Sequence, residues 1–259
     1  MPLLVRSALS RLSLALGLAV FFPVCVVAEE PVRITNGEWL PFFSESLKDF
    51  GRPSKLVADA FALEGVKVEY SFFPWKRSYK LSEQGRWDGT IGWPVSEERQ
   101  KTHYYSKIPV DSGAWVLFHL KDTKLESGSL EDLKKYKFGV TLGEWALDGD
   151  DPLTQALREK ALDYQITRTD EQSFLMLLRK RIDAFPQQRE VGKYQIQQLV
   201  ENGQISKQEA AKIVHIEKPY RNMPLYLLLS KKKKRNKHLI EAFDKGMLRL
   251  QQDSSANSN

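Results

Sequence analysis

The sequence of 259 residues contains a single cysteine, Cys25, which lies in an apolar segment near the amino terminus. The chain therefore cannot form an internal disulfide, and the rest of it offers no thiolate nucleophile and no cysteine-based zinc site. Stability must come from the hydrophobic core alone. A chain of this length can bury enough apolar surface for one large domain or two modest ones.

Recognisable catalytic and metal-binding motifs are also missing. The four histidines do not have the spacing of a metal site, and they stand at His103, His119, His215 and His238. There is no G-x-S-x-G nucleophile elbow, no phosphate-binding loop and no dinucleotide-binding glycine pattern in a suitable context. We therefore expect no catalytic residue, no metal and no cofactor. Glu38 and Glu144 are acids that burial could turn into general bases, although a hydrogen-bonding or solvated role is the expectation for both.

Only one long apolar run occurs, and it lies at the amino terminus. The run "LSLALGLAVFFPVCVVA" follows Arg6 and Arg11, and the small residues Val26 and Ala28 stand near its end. It is short for a membrane-spanning helix, and a proline interrupts it. This pattern is typical of a cleaved secretory signal. We expect residues 1–28 to be a signal peptide and the mature protein to be exported.

Positive charge is concentrated in one run, "KKKKRNK" at positions 231–237, in a chain whose formal net charge is +6. A surface for nucleic acid or for an anionic membrane is one interpretation. However, no aromatic side chain is interleaved in the run to stack on bases, and an exported protein rarely meets nucleic acid. We therefore interpret the run as a solvated turn and expect no nucleic-acid partner.

From residue 29 onwards, strand-like and helix-like segments alternate. In the first part, "VRIT", "VKVEYSF" and "DGTIGW" are typical of strands, and the segments between them have helical periodicity. This βαβαβ order predicts a largely parallel sheet covered by helices. A second series of the same kind begins after "SGAWVLFHL", which predicts two lobes. Ligands of open α/β sheets bind beyond the carboxyl ends of the strands, so we expect a ligand cleft between the lobes.

The run "DGTIGWPVSEERQKTHYYSKIPV" resembles a signature of periplasmic solute-binding proteins of family 3, the polar amino-acid-binding type. "FFPWKRSYKLSEQGRWDG" is similar to the segment before that signature, and "LEDLKKYKFGVTLG" and "LLRKRIDAF" are similar to segments of the family's second lobe. The resemblance extends from about Val32 to Gln251. It implies a type II periplasmic-binding-protein fold, an α/β fold of two lobes. Each lobe would be a mostly parallel sheet flanked by helices, and two hinge strands would join the lobes.

The resemblance also implies domain boundaries and partners. Residues 29–111 and 219–259 would form the first lobe and residues 112–218 the second, with crossing strands near Ser112 and Tyr220. The protein would be a periplasmic monomer without a cofactor. It would capture a small polar solute, amino-acid-like or amine-bearing, and present it to a membrane ABC permease or to a sensor.

In this family, an arginine at the start of a short helix grips the ligand's carboxylate, and Arg99 occupies that position. Ser96 is a predicted N-cap, and Glu97 and Glu98 suit the positive end of a helix dipole, whereas a guanidinium does not. A bidentate carboxylate partner would explain its presence there. The alternative is that Arg99 pairs with one of these glutamates or with a carbonyl group of the core.

Three positions depart from the family pattern. Pro94 replaces a Ser or Thr that contacts the ligand, and proline has no N–H to donate. Glu144 stands at the second-lobe helix start that holds the carboxylate, where its charge would repel that group by about 1 kcal/mol or more. Gln188 is neutral and replaces the ammonium-binding aspartate. These departures argue against a standard α-amino acid as the ligand.

Tryptophans occupy several predicted strand ends and helix starts. Four of the six are so placed, namely Trp39, Trp75, Trp93 and Trp145. A tryptophan more often packs in a core, but this concentration favours ligand contact, above all for Trp39 and Trp93. With Glu144, these rings could form a box for a cationic or amine-bearing ligand. The predicted ligand-binding residues are thus Arg99, Trp39, Trp93, Trp75, Glu144, Trp145 and Gln188.

Two other functions stay open at this point. The family resemblance also covers dehydratase-like enzymes, so the fold cannot exclude catalysis. A ligand-sensing partner protein without a role in transport is the other alternative.

Overall fold

The computed structural model describes residues 30–125, 129–141 and 149–256. The predicted signal peptide lies outside these ranges, and so do two of the predicted ligand-binding residues, Glu144 and Trp145. Within the described ranges, no helix is both long enough and apolar enough to cross a membrane.

The described residues contain ten β-strands. Their bounds are β1 Val32–Asn36, β2 Val68–Phe72, β3 Gly89–Trp93, β4 His103–Tyr105, β5 Asp111–Leu120, β6 Phe138–Thr141, β7 Tyr164–Thr167, β8 Ala184–Gln188, β9 Ile213–His215 and β10 Arg221–Ser230. They form a mixed sheet in the order β2-β1-β3-β10-β5-β8-β6-β7, with β4 added to β10 and β9 added to β5. β1 is parallel to β2 and β3, and β6 is parallel to β7 and β8. The sheet therefore holds two parallel groups, as the alternating sequence pattern predicts.

Two long antiparallel strands connect the parallel groups. Residues 221–225 of β10 pair with β5, and residues 226–230 pair with β3 and β4. β5 in turn pairs with β8 and β9 through residues 115–120. β5 and β10 thus correspond to the crossing strands predicted near Ser112 and Tyr220.

The helices cover the sheet, and their starts follow local capping rules. Their bounds are α1 Arg52–Ala62, α2 Trp75–Glu83, α3 Glu97–Thr102, α4 Leu130–Leu133, α5 Pro152–Arg158, α6 Asp170–Leu178, α7 Arg189–Glu201, α8 Lys207–Ala210 and α9 Asn236–Ala256, with a 3-10 helix at Lys48–Phe50. The predicted N-cap Ser96 accepts a hydrogen bond from the N–H group three residues later, and Ser129 does the same at the start of α4. The side chain of Gln188 caps α7 by accepting the N–H of Val191.

Three clusters of buried apolar side chains lie between the sheet and the helices. The largest joins β1, β3 and β10 to α1 and α9, where the rings of Phe61 and Phe243 are 5.4 Å apart. Gly246 permits this helix contact, because a Cβ there would lie 2.0 Å from the carbonyl oxygen of Ala60. The other two clusters contain, among others, Phe118, Phe174 and Phe185 in one and Phe138, Val140 and Leu157 in the other. Full burial of each such side chain contributes about 1.5–3 kcal/mol.

The basic run at positions 231–237 forms the turn after β10 and the first two residues of α9. Lys233 Nζ lies 3.0 Å from Asp88 Oδ1, and Arg235 Nη2 lies 2.8 Å from Asp88 Oδ2. The Asp88 carboxylate is fully buried and also accepts the N–H of Arg33 at 2.9 Å. The interpretation of the run as a merely solvated turn is therefore wrong for these two cations. A buried carboxylate requires positive partners, and the run provides them.

Candidate functional site

A cavity of about 260 Å³ lies at the carboxyl ends of several parallel strands. It is lined by Trp39, Trp75, Gly92, Asp170, Met223 and Leu225. Trp39 follows β1, Trp75 follows β2, and Asp170 follows β7. The cavity therefore occupies the part of an α/β sheet where ligands bind. Three larger depressions, of about 380, 480 and 510 Å³, have no tryptophan in their lining.

The indole of Trp75 is held from several sides. Its Nε1 donates a hydrogen bond to the carbonyl oxygen of Glu38 at 3.1 Å. A Cβ on Gly37 would lie 2.4 Å from the indole, and a Cβ on Gly92 would lie 3.2 Å from it. Gly37 is thus needed for the ring to lie this close to the backbone, and a side chain at position 92 would press on the ring. The ring is positioned before any ligand arrives, which reduces the entropy lost on binding.

Trp39 is positioned by a tight chain reversal. Its N–H donates to the carbonyl oxygen of Phe43 at 2.8 Å, and its own carbonyl accepts the N–H of Phe43 at 2.9 Å. The Phe43 ring is inclined by 17° to Trp39 and by 80° to Trp75. The two indoles are therefore steeply inclined to each other. We call this pair, Trp39 and Trp75, the aromatic corner of the cavity.

Asp170 is the first residue of α6, and Thr169 caps that helix. Gln195 Nε2 donates to Asp170 Oδ2 at 2.7 Å, and the side chains of Thr141 and Gln187 also hydrogen-bond to the carboxylate. Burial raises the pKa of Asp170 above its ordinary value, although these hydrogen bonds act in the opposite direction. Among the described residues, no lysine or arginine forms an ion pair with Asp170.

β10 forms another wall of the cavity through Met223 and Leu225. Because side chains alternate along a strand, Arg221 lies on the same face, one step beyond Met223. Its guanidinium carbon is 4.5 Å from the ring centroid of Trp115, and Nη1 is 3.5 Å from Asp151 Oδ2. Arg221 is therefore a cation on the face of β10 that lines the cavity. The sequence motifs did not identify this residue.

No known protein family matches the sequence, and no curated protein matches it either. Solved structures do match, over most of the chain. A histidine kinase sensor domain with similarity to periplasmic binding proteins is 17% identical, with a TM-score of 0.63, and the match covers 89% of this chain and 94% of that domain. The chain has the periplasmic-binding-protein fold. The resemblance found in the sequence predicted this fold, and it is confirmed.

Two further solved structures with this fold also match the chain. One is the second substrate-binding domain of a protein assigned as an amino acid ABC transporter from Streptococcus pneumoniae, with 20% identity, a TM-score of 0.62, and coverage of 87% of this chain and 95% of that one. The other is the ancestral amino acid-binding protein AncCDT-1, described as a precursor of cyclohexadienyl dehydratase, with 21% identity, a TM-score of 0.58, and coverage of 88% and 92%. At these identities, the matches show the fold of this chain and not its ligand.

Within this periplasmic-binding-protein fold, Arg99 is not among the residues that line the cavity. Its guanidinium carbon is 4.9 Å from the Trp93 ring centroid, and its Nη1 lies 3.5 Å from the carbonyl oxygen of Pro94. Trp93 is almost fully buried and meets Trp75 edge-on at 5.4 Å. A chain of contacts thus runs from Arg99 through Trp93 to the aromatic corner. The carboxylate-binding role of Arg99 stays a prediction, as does ligand contact by Trp93.

Gln188 is also absent from the cavity lining. Its side chain is buried, and Oε1 accepts the N–H of Val191 at 2.7 Å. In this position it serves as the N-cap of α7, and ligand binding by Gln188 is likewise still a prediction. Asp170 was not identified from the sequence, although "RTDEQ" directly follows the strand "YQIT". The carboxyl-end rule that selected Trp39 would have selected Asp170 as well.

The described residues contain no group of three or more His, Cys, Asp or Glu side chains that could hold a metal ion. The chemistry of the cavity is therefore that of two indoles, a carboxylate and apolar side chains. Such a set can bind an apolar or cationic solute by contact and charge.

Proposed function

We propose that the protein binds a small polar organic solute, amino-acid-like or amine-bearing, in the cavity lined by Trp39, Trp75 and Asp170. The observation that carries this proposal is the lining itself, because side chains from three strand ends converge on one volume. That volume, about 260 Å³, is below the range of roughly 300–1,000 Å³ that is usual for drug-sized ligands. A solute of amino-acid size suits it.

The proposal includes the lobes predicted from the sequence, residues 29–111 with 219–259 and residues 112–218. The aromatic corner would then belong to the first lobe and Asp170 to the second. A solute that contacts both would stabilise a closed form of the protein, with β5 and β10 as the hinge strands.

We further propose that the protein is exported to the periplasm as a monomer and that its closed form delivers the solute to an ABC permease. A neighbour in fold that is named as a substrate-binding domain of a transporter supports this. The neighbour named as a histidine kinase sensor domain supports a sensor as the alternative receiver.

An enzyme on the same scaffold is the second candidate, and one observation favours it. Asp170 has a raised pKa in a cavity, which is a property that a general acid or base requires. Incubation of a bound solute followed by NMR distinguishes the two functions. A solute recovered unchanged supports binding, whereas a product that disappears with Asp170→Asn supports catalysis.

Two matched tryptophan variants test the binding site. Trp75→Leu removes a ring of the aromatic corner, whereas Trp87→Leu removes a partly buried ring that packs on Phe73 and Arg33, away from the cavity lining. A thermal-shift screen with amino acids, amines and organic acids first identifies a solute that raises the melting temperature of the wild-type protein. Calorimetry then measures the affinity of each variant for that solute.

We expect Trp75→Leu to weaken binding about tenfold, because it removes an aromatic contact of about 1 kcal/mol or more. Trp87→Leu should retain the wild-type affinity. Equal affinities of both variants would show that the solute binds elsewhere, and the absence of any stabilising solute would contradict the proposal as a whole.

A further inference from the structure

We propose that Asp170 binds a positively charged nitrogen of the solute, so that the ligand of this cavity is an amine, a guanidine or a quaternary ammonium compound. The inference rests on the proposed solute-binding function and specifies the chemical class of the solute. In the family that the sequence resembles, the ammonium-binding position falls on Gln188, which is neutral. The inference therefore assigns this role to a different element, the start of α6.

The first argument is the charge balance around Asp170. Its three hydrogen-bonding neighbours, the side chains of Thr141, Gln187 and Gln195, are all neutral. Removal of a carboxylate from water is unfavourable unless a positive charge compensates for it. Within the described part of the chain no cation pairs with this carboxylate. Since Asp170 lines the cavity, a cationic solute can provide the missing charge.

Two other poorly exposed aspartates have cations as partners, whereas Asp244, which does not line the cavity, is held by backbone N–H groups. Asp88 is paired with Lys233 and Arg235, and both oxygens of Asp111 lie 2.6 Å from Arg52 Nη2. These two carboxylates are held within the protein and do not line the cavity. The carboxylate that does line it differs from both in having only neutral partners.

The second argument comes from the tryptophans, and it is independent of Asp170. Five tryptophans lie in the described ranges, and three of them are outside the cavity lining. Each of these three has an arginine guanidinium over its ring. The pairs are Arg33 with Trp87 at 4.4 Å, Arg99 with Trp93 at 4.9 Å and Arg221 with Trp115 at 4.5 Å. Trp39 and Trp75, the two in the lining, have no such cation among the described residues. Indole rings attract cations through their negative faces. The faces of Trp39 and Trp75 are therefore available for contact with a cationic solute.

The third argument is a free acceptor beside the carboxylate. Gln195 uses its Nε2 to donate to Asp170, and its Oε1 is buried without a hydrogen-bond partner among the described residues. The two atoms belong to one carboxamide, so Oε1 lies within a few ångströms of the carboxylate. Gln195 does not line the cavity and its Oε1 has no access to solvent, so this oxygen favours a cation beside Asp170 through its partial negative charge and not through direct contact.

The test compares cationic solutes with neutral solutes of nearly the same shape. Putrescine is measured against 1,4-butanediol, methylguanidine against methylurea, and choline against 3,3-dimethyl-1-butanol, with succinate as the anionic probe. Affinities are measured by calorimetry on the wild-type protein. We expect the cation of at least one pair to bind about tenfold or more tightly than its neutral counterpart, because a charge-assisted hydrogen bond in a half-buried site contributes at least that factor. Succinate should not bind.

Two variants then identify the carboxylate that is responsible. Asp170→Asn removes the charge, and Glu171→Gln removes the same charge from the exposed neighbouring residue of α6. We expect Asp170→Asn to weaken binding of the cationic probe by about 10- to 100-fold, and Glu171→Gln to change it by less than about twofold. Circular dichroism confirms that each variant is folded. If Asp170→Asn does not fold, the comparison of cationic and neutral probes on the wild-type protein decides.

Several results would overturn the inference. Equal binding of both members of each pair, tight binding of succinate, or an unchanged affinity in Asp170→Asn would each contradict it. Binding of a neutral or anionic solute that Trp75→Leu weakens would contradict this inference and leave the proposed solute-binding function intact. If no probe and no solute of the wider panel bound at all, both proposals would be wrong.

Discussion

Asp88 and Asp170 are both aspartates largely withdrawn from water, and their surroundings are opposite. Asp88 lies where β3 meets the turn before α9, and it receives Lys233, Arg235 and the N–H of Arg33. Asp170 lies at the cavity and receives only neutral side chains within the described residues. In the first region the chain completes its own charge balance. In the second region the described part of the chain provides no cation, so the negative charge of Asp170 is available to a bound solute.

This difference extends beyond the two carboxylates. The region around Asp88 also contains His103, whose ring nitrogens lie 2.9 Å from Ser82 Oγ and 2.8 Å from Thr102 Oγ1. Both nitrogens are thus satisfied internally. The cavity, by contrast, has two indole rings with no cation over them among the described residues. Hydrogen bonding alone does not separate the two regions, because the buried Oδ1 of Asn236, beside Asp88, also has no partner among the described residues. The regions differ in charge compensation, and an uncompensated carboxylate next to a cavity is typical of a binding site.

The largest expected effect is on stability, from Asp88→Asn. This change leaves two cations without their buried partner, and we expect the free energy of unfolding to fall by about 3–5 kcal/mol. Burial opposes ionisation of Asp88, but the hydrogen bonds from Arg235, Arg33 and Lys233 outweigh it and lower its pKa. The folded state therefore favours the charged form, and this contribution is present above about pH 4 and is lost in stronger acid. Urea denaturation at pH 7 measures the loss.

The matched control is Asp59→Asn, which removes an exposed partner of Lys55 on α1. Such surface pairs contribute about 0.5 kcal/mol or less. A loss for Asp88→Asn as small as that of the control would show that Asp88 is not the structural group that the comparison requires.

The sequence predicts local features of both regions better than their long-range contacts. Helix starts at Ser96 and Ser129 depend on residues three positions apart, and the strands depend on the alternation of neighbouring side chains. The pair of Asp88 with Arg235 joins residues 147 positions apart. Nothing local encodes such a contact, so the basic run was interpreted as solvated.

The same limit applies to the site. Trp39 and Trp75 were predicted because they follow strands, and both line the cavity. Trp93 satisfies the same rule but is buried, because its ring packs under Trp75 and its Nε1 donates to Thr90. Packing between distant segments decides whether a side chain at a strand end lies in the core or lines the cavity. Asp170 was missed because the family pattern directs attention to position 188.

A smaller effect is expected from His103, whose two ring nitrogens are both hydrogen-bonded in the region of Asp88. Burial lowers its pKa to about 4, although its backbone hydrogen bond to Arg99 and the charge of Glu83 act in the opposite direction. The unfolded chain binds this proton near pH 6.5. Folding stability from neutral His103 is therefore fully present above about pH 6.5 and declines as the pH falls towards 4, by about 3 kcal/mol in total. Urea denaturation across this range measures the slope.

His103→Gln should flatten that slope, because it removes the titrating ring. His238→Gln is the control, since the side chain of His238 is 87% exposed and its removal should leave the slope unchanged. A wild-type slope that persists in His103→Gln would assign the acid sensitivity to other groups and would weaken the contrast between the two regions.

The smallest expected effect, and the sharpest test of the comparison, is the stability of Asp170→Asn without solute. Burial raises the pKa of Asp170, so the folded state holds its proton more tightly than the unfolded state does. Its contribution to stability is thus greatest in acid and is lost as the pH rises through the raised pKa. At pH 7 the substitution removes an unpaired charge, and we expect the free energy of unfolding to stay unchanged or to rise by up to about 1 kcal/mol. Urea denaturation in solute-free buffer measures this. A loss of the size expected for Asp88→Asn would mean that Asp170 supports the fold in the same way as Asp88, and the distinction between a closed structural site and an open binding site would then be lost.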